Sequence, residues 1–309
     1  MLLPSSSSSS SSHSLHSLLS RYQRTINTIF SYCSSIISVQ LSQTSSPHPA
    51  IMFRALVTFA VLSGVLACPD HSTASHLSKR QAIPWNYDEQ DAWANNHPFC
   101  ANGTKQSPID LPAGSFSKVQ VPAFNYQTMV SGDLSNWGYG PSFSLNNING
   151  QDASGNPSFT ANGVTYYLLG FHTHIISEHT IDGQPHAAEI HLVHGDASGA
   201  PIGVVGFPLA VGSESGFFEI LPSTPGITST DSVHLESWDM SKLLAEGNNL
   251  KDYWSYEGSL TTPDCAEGKR WWVSGKTVTI SQVQLDNLLK VSAPSARKTQ
   301  QIIDQGLNI

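Results

Sequence analysis

Residues 171–194 read FHTHIISEHTIDGQPHAAEIHLVH, and how this stretch folds decides both the architecture and the chemistry. His172 and His174 are two apart, which on a β-strand puts both rings on one face of the sheet. His191 follows seventeen residues after His174, within Ala188–Val193, a second strand-like run. Asp182, Gly183 and Pro185 between them are turn residues. The simplest fold is an antiparallel pair that brings three imidazoles to one point. Three neutral nitrogens about 2.0–2.1 Å from Zn²⁺, with a fourth position left to water, make a catalytic zinc site. A structural site would close that position with a protein ligand, usually Cys, and the stretch has none. A lone strand histidine is more often a hydrogen-bonded core residue, so the pairing with His191 carries the metal reading.

Around this stretch the chain reads as β-rich. Short apolar runs separated by Gly, Pro, Asn and Ser fill Ser115–Asn149 and Phe159–Phe171, which predicts strands and tight turns. Val204–Phe207 and Trp271–Val273 read as buried strands. Helical signals are confined to Ser241–Ala245 and Ser281–Leu289, with Ser281 a candidate N-cap. The expected class is mainly β with peripheral helices, in one domain over residues 81–309.

Three blocks resemble the alpha-class carbonic anhydrases. F-H-x-H, S-E-H-T and A-E-x-H-x-V-H stand at Phe171–His194, Y-x-G-S-L-T-T-P at Tyr256–Pro263, and Q-S-P-I-D at Gln106–Asp110. Their order and approximate spacing match from about Trp85 to Gln300, and the short interval from His174 to His191 is similar to the compact bacterial-type members. The resemblance implies one twisted, largely antiparallel sheet of about ten strands, with zinc at the bottom of a conical cleft. It implies zinc-dependent reversible hydration of carbon dioxide, with esterase activity on activated esters as a side reaction. His172, His174 and His191 would be the ligands. A neutral ligand set leaves the ion its full charge, which lowers the pKa of a bound water from 15.7 to about 7.

The resemblance also assigns supporting roles. Thr261 would donate its single hydroxyl proton to Glu178, leaving its oxygen to accept from the nucleophile. Thr262 would contact bicarbonate. Val193, Val204, Leu260 and Trp271 would form an apolar wall for CO₂. Glu189 would orient His191, His179 and Tyr256 would form a buried hydrogen-bonded pair, and Tyr87 would face the cavity. His194, out of phase with His191, is expected in the core on the opposite face, and His186 in a solvated turn. Cys100 and Cys265 occupy positions that secreted members pair, so a disulfide is expected there. Two departures stand out. The family's glutamine two residues before the first ligand is Gly170 here. The proton-shuttle histidine that follows L-N-N-G is absent, with Asn149 or Gly150 at that position, so proton release is expected to run through water and buffer.

The first 80 residues read separately. Residues 1–51 hold no Asp or Glu and carry a serine run from Ser5 to Ser12. They read as a low-complexity leader, with mitochondrial targeting as the weaker alternative and Met52 as the better start. Residues 52–67 have a basic start at Arg54, an apolar run over Ala55–Ala67 and a small-residue end, the features of a secretory signal. Residues 68–80, ending in Lys79-Arg80, read as a propeptide. Cys33 and Cys68 lie in segments expected to be removed. Gln81–Ile309 then holds 10 Lys and Arg against 22 Asp and Glu. That acidic balance argues against nucleic acid or an anionic membrane as partner. Asn102-Gly-Thr104 is an N-glycosylation sequon. The expected partner is a small molecule, CO₂ or bicarbonate, in a secreted protein, with a homodimer left open. The competing reading is a non-catalytic binding module on the same fold, disfavoured because all three histidines, Glu178 and Thr261 are present.

Overall fold

The computed structural model describes residues 85–119, 121–126 and 129–308. The expected leader, signal, propeptide and dibasic site lie outside the described residues. An 11-stranded sheet dominates. Its path runs Ser232–Trp238, Val130–Asn136, Pro141–Leu145, Val164–His174, Ala188–Gly195, Pro201–Val211, Glu267–Ser274 and Tyr253–Ser259. Ser158–Ala161 and Ala123–Asn125 branch from Val164–His174, and Val278–Ile280 pairs with Pro201–Val211. All pairings in this sheet are antiparallel except those of Pro201–Val211 with Glu267–Ser274 and with Val278–Ile280.

Period-two alternation divides the sheet into a core face and a site face. Phe171, Ile190, Leu192, Val205, Phe207 and Trp272 join the main core. Their neighbours His172, Glu189, His191, Val193, Val204 and Trp271 point the other way. Phe143 anchors the core at its centre, with ring centroids 5.6 Å from Phe171 and 5.1 Å from Trp238. His194 falls on this face as expected, fully buried, its Nδ1 3.0 Å from Leu192 O and its Nε2 against the Tyr126 hydroxyl.

The connection between the two histidine strands is more than a turn. Thr180–Ile181 and Gln184–Pro185 form a hairpin around Asp182 and Gly183, both at positive φ (48° and 73°). Asp110–Leu111 pairs parallel with Thr180–Ile181 to make a separate three-stranded sheet. The Asp110 carboxylate accepts from Gly183 N–H at 2.8 Å and from the Thr180 hydroxyl at 2.5 Å. The Q-S-P-I-D block is thereby tied to the metal-site loop. His186 departs from the expectation of a solvated turn. It is half-buried, its Nε2 lies 3.2 Å from the Thr277 hydroxyl, and burial lowers its pKa.

The helices are peripheral. Gln282–Lys290 starts with a capping box: Ser281 Oγ accepts from Gln284 N–H at 3.2 Å and Gln284 Oε1 accepts from Ser281 N–H at 3.0 Å. Ser241–Glu246 is the second expected helix.

Candidate active site

Strand register builds the site in two rows across the sheet. Ser142, His172, His191 and Gly206 are consecutive partners in one row. Gly170, Val193, Val204, Trp271 and Tyr256 are consecutive partners in the next. At Gly206 a Cβ would lie 2.9 Å from Glu189 Oε1, so a side chain there would press on that carboxylate.

The His172, His174 and His191 rings converge, each offering a nitrogen within 4.8 Å of the others. All three are buried, at 3, 0 and 1 % exposure. The outer nitrogen of two rings is fixed. His174 Nδ1 donates to Ser295 O at 2.7 Å, and His191 Nε2 meets Glu189 Oε1 at 2.8 Å. That turns His174 Nε2, which has no hydrogen-bond partner among the described residues, and His191 Nδ1 toward a common point. Three buried imidazoles, two of them oriented through hydrogen bonds at the outer nitrogen, are a donor set that fits Zn²⁺. Burial and the neighbouring His191 push the His174 pKa down to about 3, and burial also lowers that of His191. Both rings are therefore held in the uncharged form that a metal needs.

Glu189 sits at the hub of a buried network. Its Oε1 is 2.7 Å from His179 Nδ1, and its Oε2 accepts from the backbone N–H of Glu178 and His179, each at 2.9 Å. Burial alone would raise its pKa, but the two rings and their hydrogen bonds outweigh that and hold it well below the usual range. His179 Nε2 meets the Tyr256 hydroxyl at 2.7 Å, and Tyr256 donates to Ser107 Oγ at 2.9 Å.

Glu178 is buried between the ligands and the chain's C-terminal segment. Arg297 N–H donates to its Oε1 at 2.9 Å. Burial pushes the carboxyl well up, and the Thr261 hydroxyl and the Arg297 N–H oppose that shift. His172, His191, Val193, Val204, Leu260, Thr261 and Trp271 line one cleft, which brings the expected wall and Thr261 together over the histidines. Thr262 Oγ1 is buried and has no hydrogen-bond partner among the described residues. Trp271 presents an edge contact to His191 at 4.9 Å.

Cys100 and Cys265 form a disulfide. Cys265 N–H donates to Thr262 O at 2.7 Å, and Gln106 Nε2 donates to Cys265 O at 3.1 Å, so the bridge holds the Thr261–Thr262 loop to the N-terminal segment. Tyr87 sits in an aromatic cluster with Trp85, Trp93, Trp137 and Tyr139. Trp137 reaches from that cluster to His172 and His174, with ring centroids at 5.8 and 5.5 Å. Asn149 is fully engaged in its own loop: its amide donates to Asp152 Oδ1 and Ser154 Oγ, and its oxygen accepts from Gln151 and Asp152 N–H.

Ser295, Arg297, Ser107 and Trp137 were not singled out from the sequence. Each meets the site through contacts with residues 35 or more positions away in the chain, and no local pattern marks such contacts.

Comparison with known proteins places this geometry. The family model described as eukaryotic-type carbonic anhydrase matches residues 88–306. A carbonic anhydrase of Neisseria gonorrhoeae is 29% identical over 233 residues, covering 73% of this chain and 86% of that protein. One from Klebsiella pneumoniae is 30% identical over 215 residues, covering 66% and 81%. Among solved structures, the alpha-carbonic anhydrase of Thermovibrio ammonificans in complex with sulfanilamide aligns with a TM-score of 0.62 at 29% identity, covering 72% of this chain and 96% of that one. A fungal alpha-carbonic anhydrase from Aspergillus oryzae aligns with a TM-score of 0.60 at 26% identity, covering 71% and 92%. A family match over more than half the chain, joined to this sheet and this histidine cluster, shows that the chain belongs to the eukaryotic-type, or alpha, carbonic anhydrases and is a carbonate dehydratase.

Proposed function

We propose that the protein hydrates CO₂ reversibly to bicarbonate and a proton at a zinc ion held by His172, His174 and His191, and that it does so as a secreted enzyme. The observation that carries this is the convergence of three buried imidazole nitrogens. Zn²⁺, when bound, supplies the charge that favours the Glu178 carboxylate and makes a hydroxide nucleophile available near neutral pH.

The chain's own residues do the rest. Glu189 and the Ser295 carbonyl fix the tautomers of His191 and His174. Thr261 has one hydroxyl proton. Given to Glu178, it leaves the Thr261 oxygen as an acceptor, so only a group that itself carries a proton fits beside it. Thr261 thereby selects and orients the nucleophile. Val193, Val204, Leu260 and Trp271 give CO₂ an apolar seat and exclude competing water. Thr262 offers bicarbonate a hydroxyl. Asn149 and Gly150 stand where the resemblance would place a relay histidine for the proton released with bicarbonate. Asn149 is locked by Asp152 and Ser154, and the hydrogen bonds from Ser154 and Asn149 lower the Asp152 pKa, making it a poor proton acceptor. Transfer therefore passes to water and buffer.

The Cys100–Cys265 bridge supports an oxidising compartment, which fits the secretory reading of residues 52–67. Stopped-flow CO₂ hydration, measured with zinc content on the same samples, tests the proposal. His174→Ala is expected to lose both. Full hydration activity in that variant would overturn it.

A further inference from the structure

We propose that Asn102 carries an N-linked glycan whose first sugars lie over an apolar patch formed by Phe99, Ile302 and Ile303, and that this cover keeps the face from self-association. The inference rests on the secretory reading above. Asn102-Gly-Thr104 is the one Asn-x-Ser/Thr triplet without a central proline in the 309 residues.

The structure puts it where a transferase can reach. Asn102 ends the short helix Phe99–Asn102 and is exposed, as is Thr104. The Asn102 amide makes no hydrogen bond among the described residues. The backbone turns extended at Gly103 (φ −66°, ψ 147°), so the acceptor amide and the Thr104 hydroxyl are presented outside regular structure. In the transfer, the amide nitrogen displaces the pyrophosphate from C1 of a lipid-pyrophosphate-linked oligosaccharide. The N–C1 bond forms, the lipid pyrophosphate leaves, and one amide proton is lost.

The same surface is unusually apolar. Phe99 is three residues before Asn102 on the helix and shares its face, with 58% of its area exposed. The C-terminal segment brings two more apolar side chains to the triplet. Asp304 N–H donates to Thr104 O at 3.2 Å, and Gln305 Nε2 donates to Gln106 O at 3.2 Å. Ile303 is anchored through its N–H to Gln305 Oε1 at 2.6 Å. That turn leaves Ile302 45% and Ile303 61% exposed beside the acceptor. The backbone contact between Thr104 and Asp304 brings these exposed apolar side chains to the acceptor's side of the molecule. The C–H faces of a sugar ring can cover them while its hydroxyls stay in water, and the one sequon of the chain stands at the edge of the patch. A second copy of the chain is the competing occupant.

The chain is expressed from Met52 onward, and in parallel from Met1, in a eukaryotic secretory host, and retention is judged on the Met52 form. Protein from the medium is measured by intact mass and peptide mapping, before and after an amidase that cleaves the Asn–sugar bond and leaves Asp. The expected result is one glycan per chain, at Asn102. The stripped protein and Asn102→Gln should then self-associate in sedimentation and bind an apolar dye several-fold more strongly. Adding Ile302→Ser and Ile303→Ser to Asn102→Gln should abolish both effects, with CO₂ hydration unchanged throughout. Secreted protein with unmodified Asn102 overturns the proposal alone, whereas protein retained in the cell overturns the secretory reading with it. Glycosylated protein that already self-associates through the patch, or stripped protein that changes in neither measurement, also overturns it.

Discussion

At the scale of single residues, the three proposed ligands and their supports separate by what they should do to metal and to rate. His174→Ala removes a ligand that nothing nearby replaces, so zinc content and hydration should vanish together. Thr261→Val keeps all three ligands. Zinc should stay at wild-type occupancy in metal analysis while kcat/KM falls about 10²-fold or more, the usual worth of an orienting proton-transfer group. Glu189→Gln leaves the rings in place but loosens His191. Equilibrium competition against a chelator should show zinc affinity down by about 10–100-fold. His194 gives a pH signature remote from the metal. Burial holds its pKa down at about 3, whereas the unfolded chain takes up the proton near 6.5. The unfolded state thus binds more protons below pH 6.5, and stability is lost as pH falls from 6.5 toward 3, by up to about 5 kcal/mol for this group. Denaturant midpoints of His194→Gln should fall less steeply over that window than those of wild type. The proposed ligands His172, His174 and His191, and Glu189 beside them, were legible because they obey the two-residue period of strands. Ser295 and Arg297 were not, because each supports the site from more than a hundred residues away in the chain through contacts that follow no period.

At the scale of elements, the sheet register does what no single strand could. Val193, Val204 and Trp271 come from three strands and meet because they are ladder partners. Their place in the cleft was inferred from resemblance, since register between strands leaves no mark in any one of them. Gly206 shows the cost of that packing. A methyl there meets Glu189 Oε1 at 2.9 Å, so Gly206→Ala should weaken zinc binding while leaving the ligand residues untouched. Chelator competition checks this, and unchanged affinity would mean the carboxylate moves aside freely. The helices were readable from their ends. Ser281 announces its cap, and Ser281→Ala should cost about 1 kcal/mol in chemical denaturation. The small sheet joining Asp110–Leu111 to Thr180–Ile181 was not anticipated, because a two-residue parallel pairing has too little pattern to be seen in advance.

At the scale of the whole molecule, one bridge spans 165 residues and ends beside Thr262. Closing so long a loop restricts the unfolded chain, so reduction should lower stability by about 2–5 kcal/mol, read as a drop in Tm with and without reductant. Proton release is the other property of the whole. With Asn149 locked, turnover at saturating CO₂ should rise with the concentration of an imidazole buffer, and a rate independent of buffer would place a relay elsewhere. Proton release rests on one claim, that three imidazole rings hold the ion at which CO₂ is hydrated. The most direct measurement strips the protein with a chelator and titrates zinc back while following CO₂ hydration by stopped flow. Activity should be absent at the start, rise linearly to one zinc per chain and then level off, with His191→Ala staying inactive throughout. Full activity in the stripped protein, or a rise that ignores loss of His191, would contradict it.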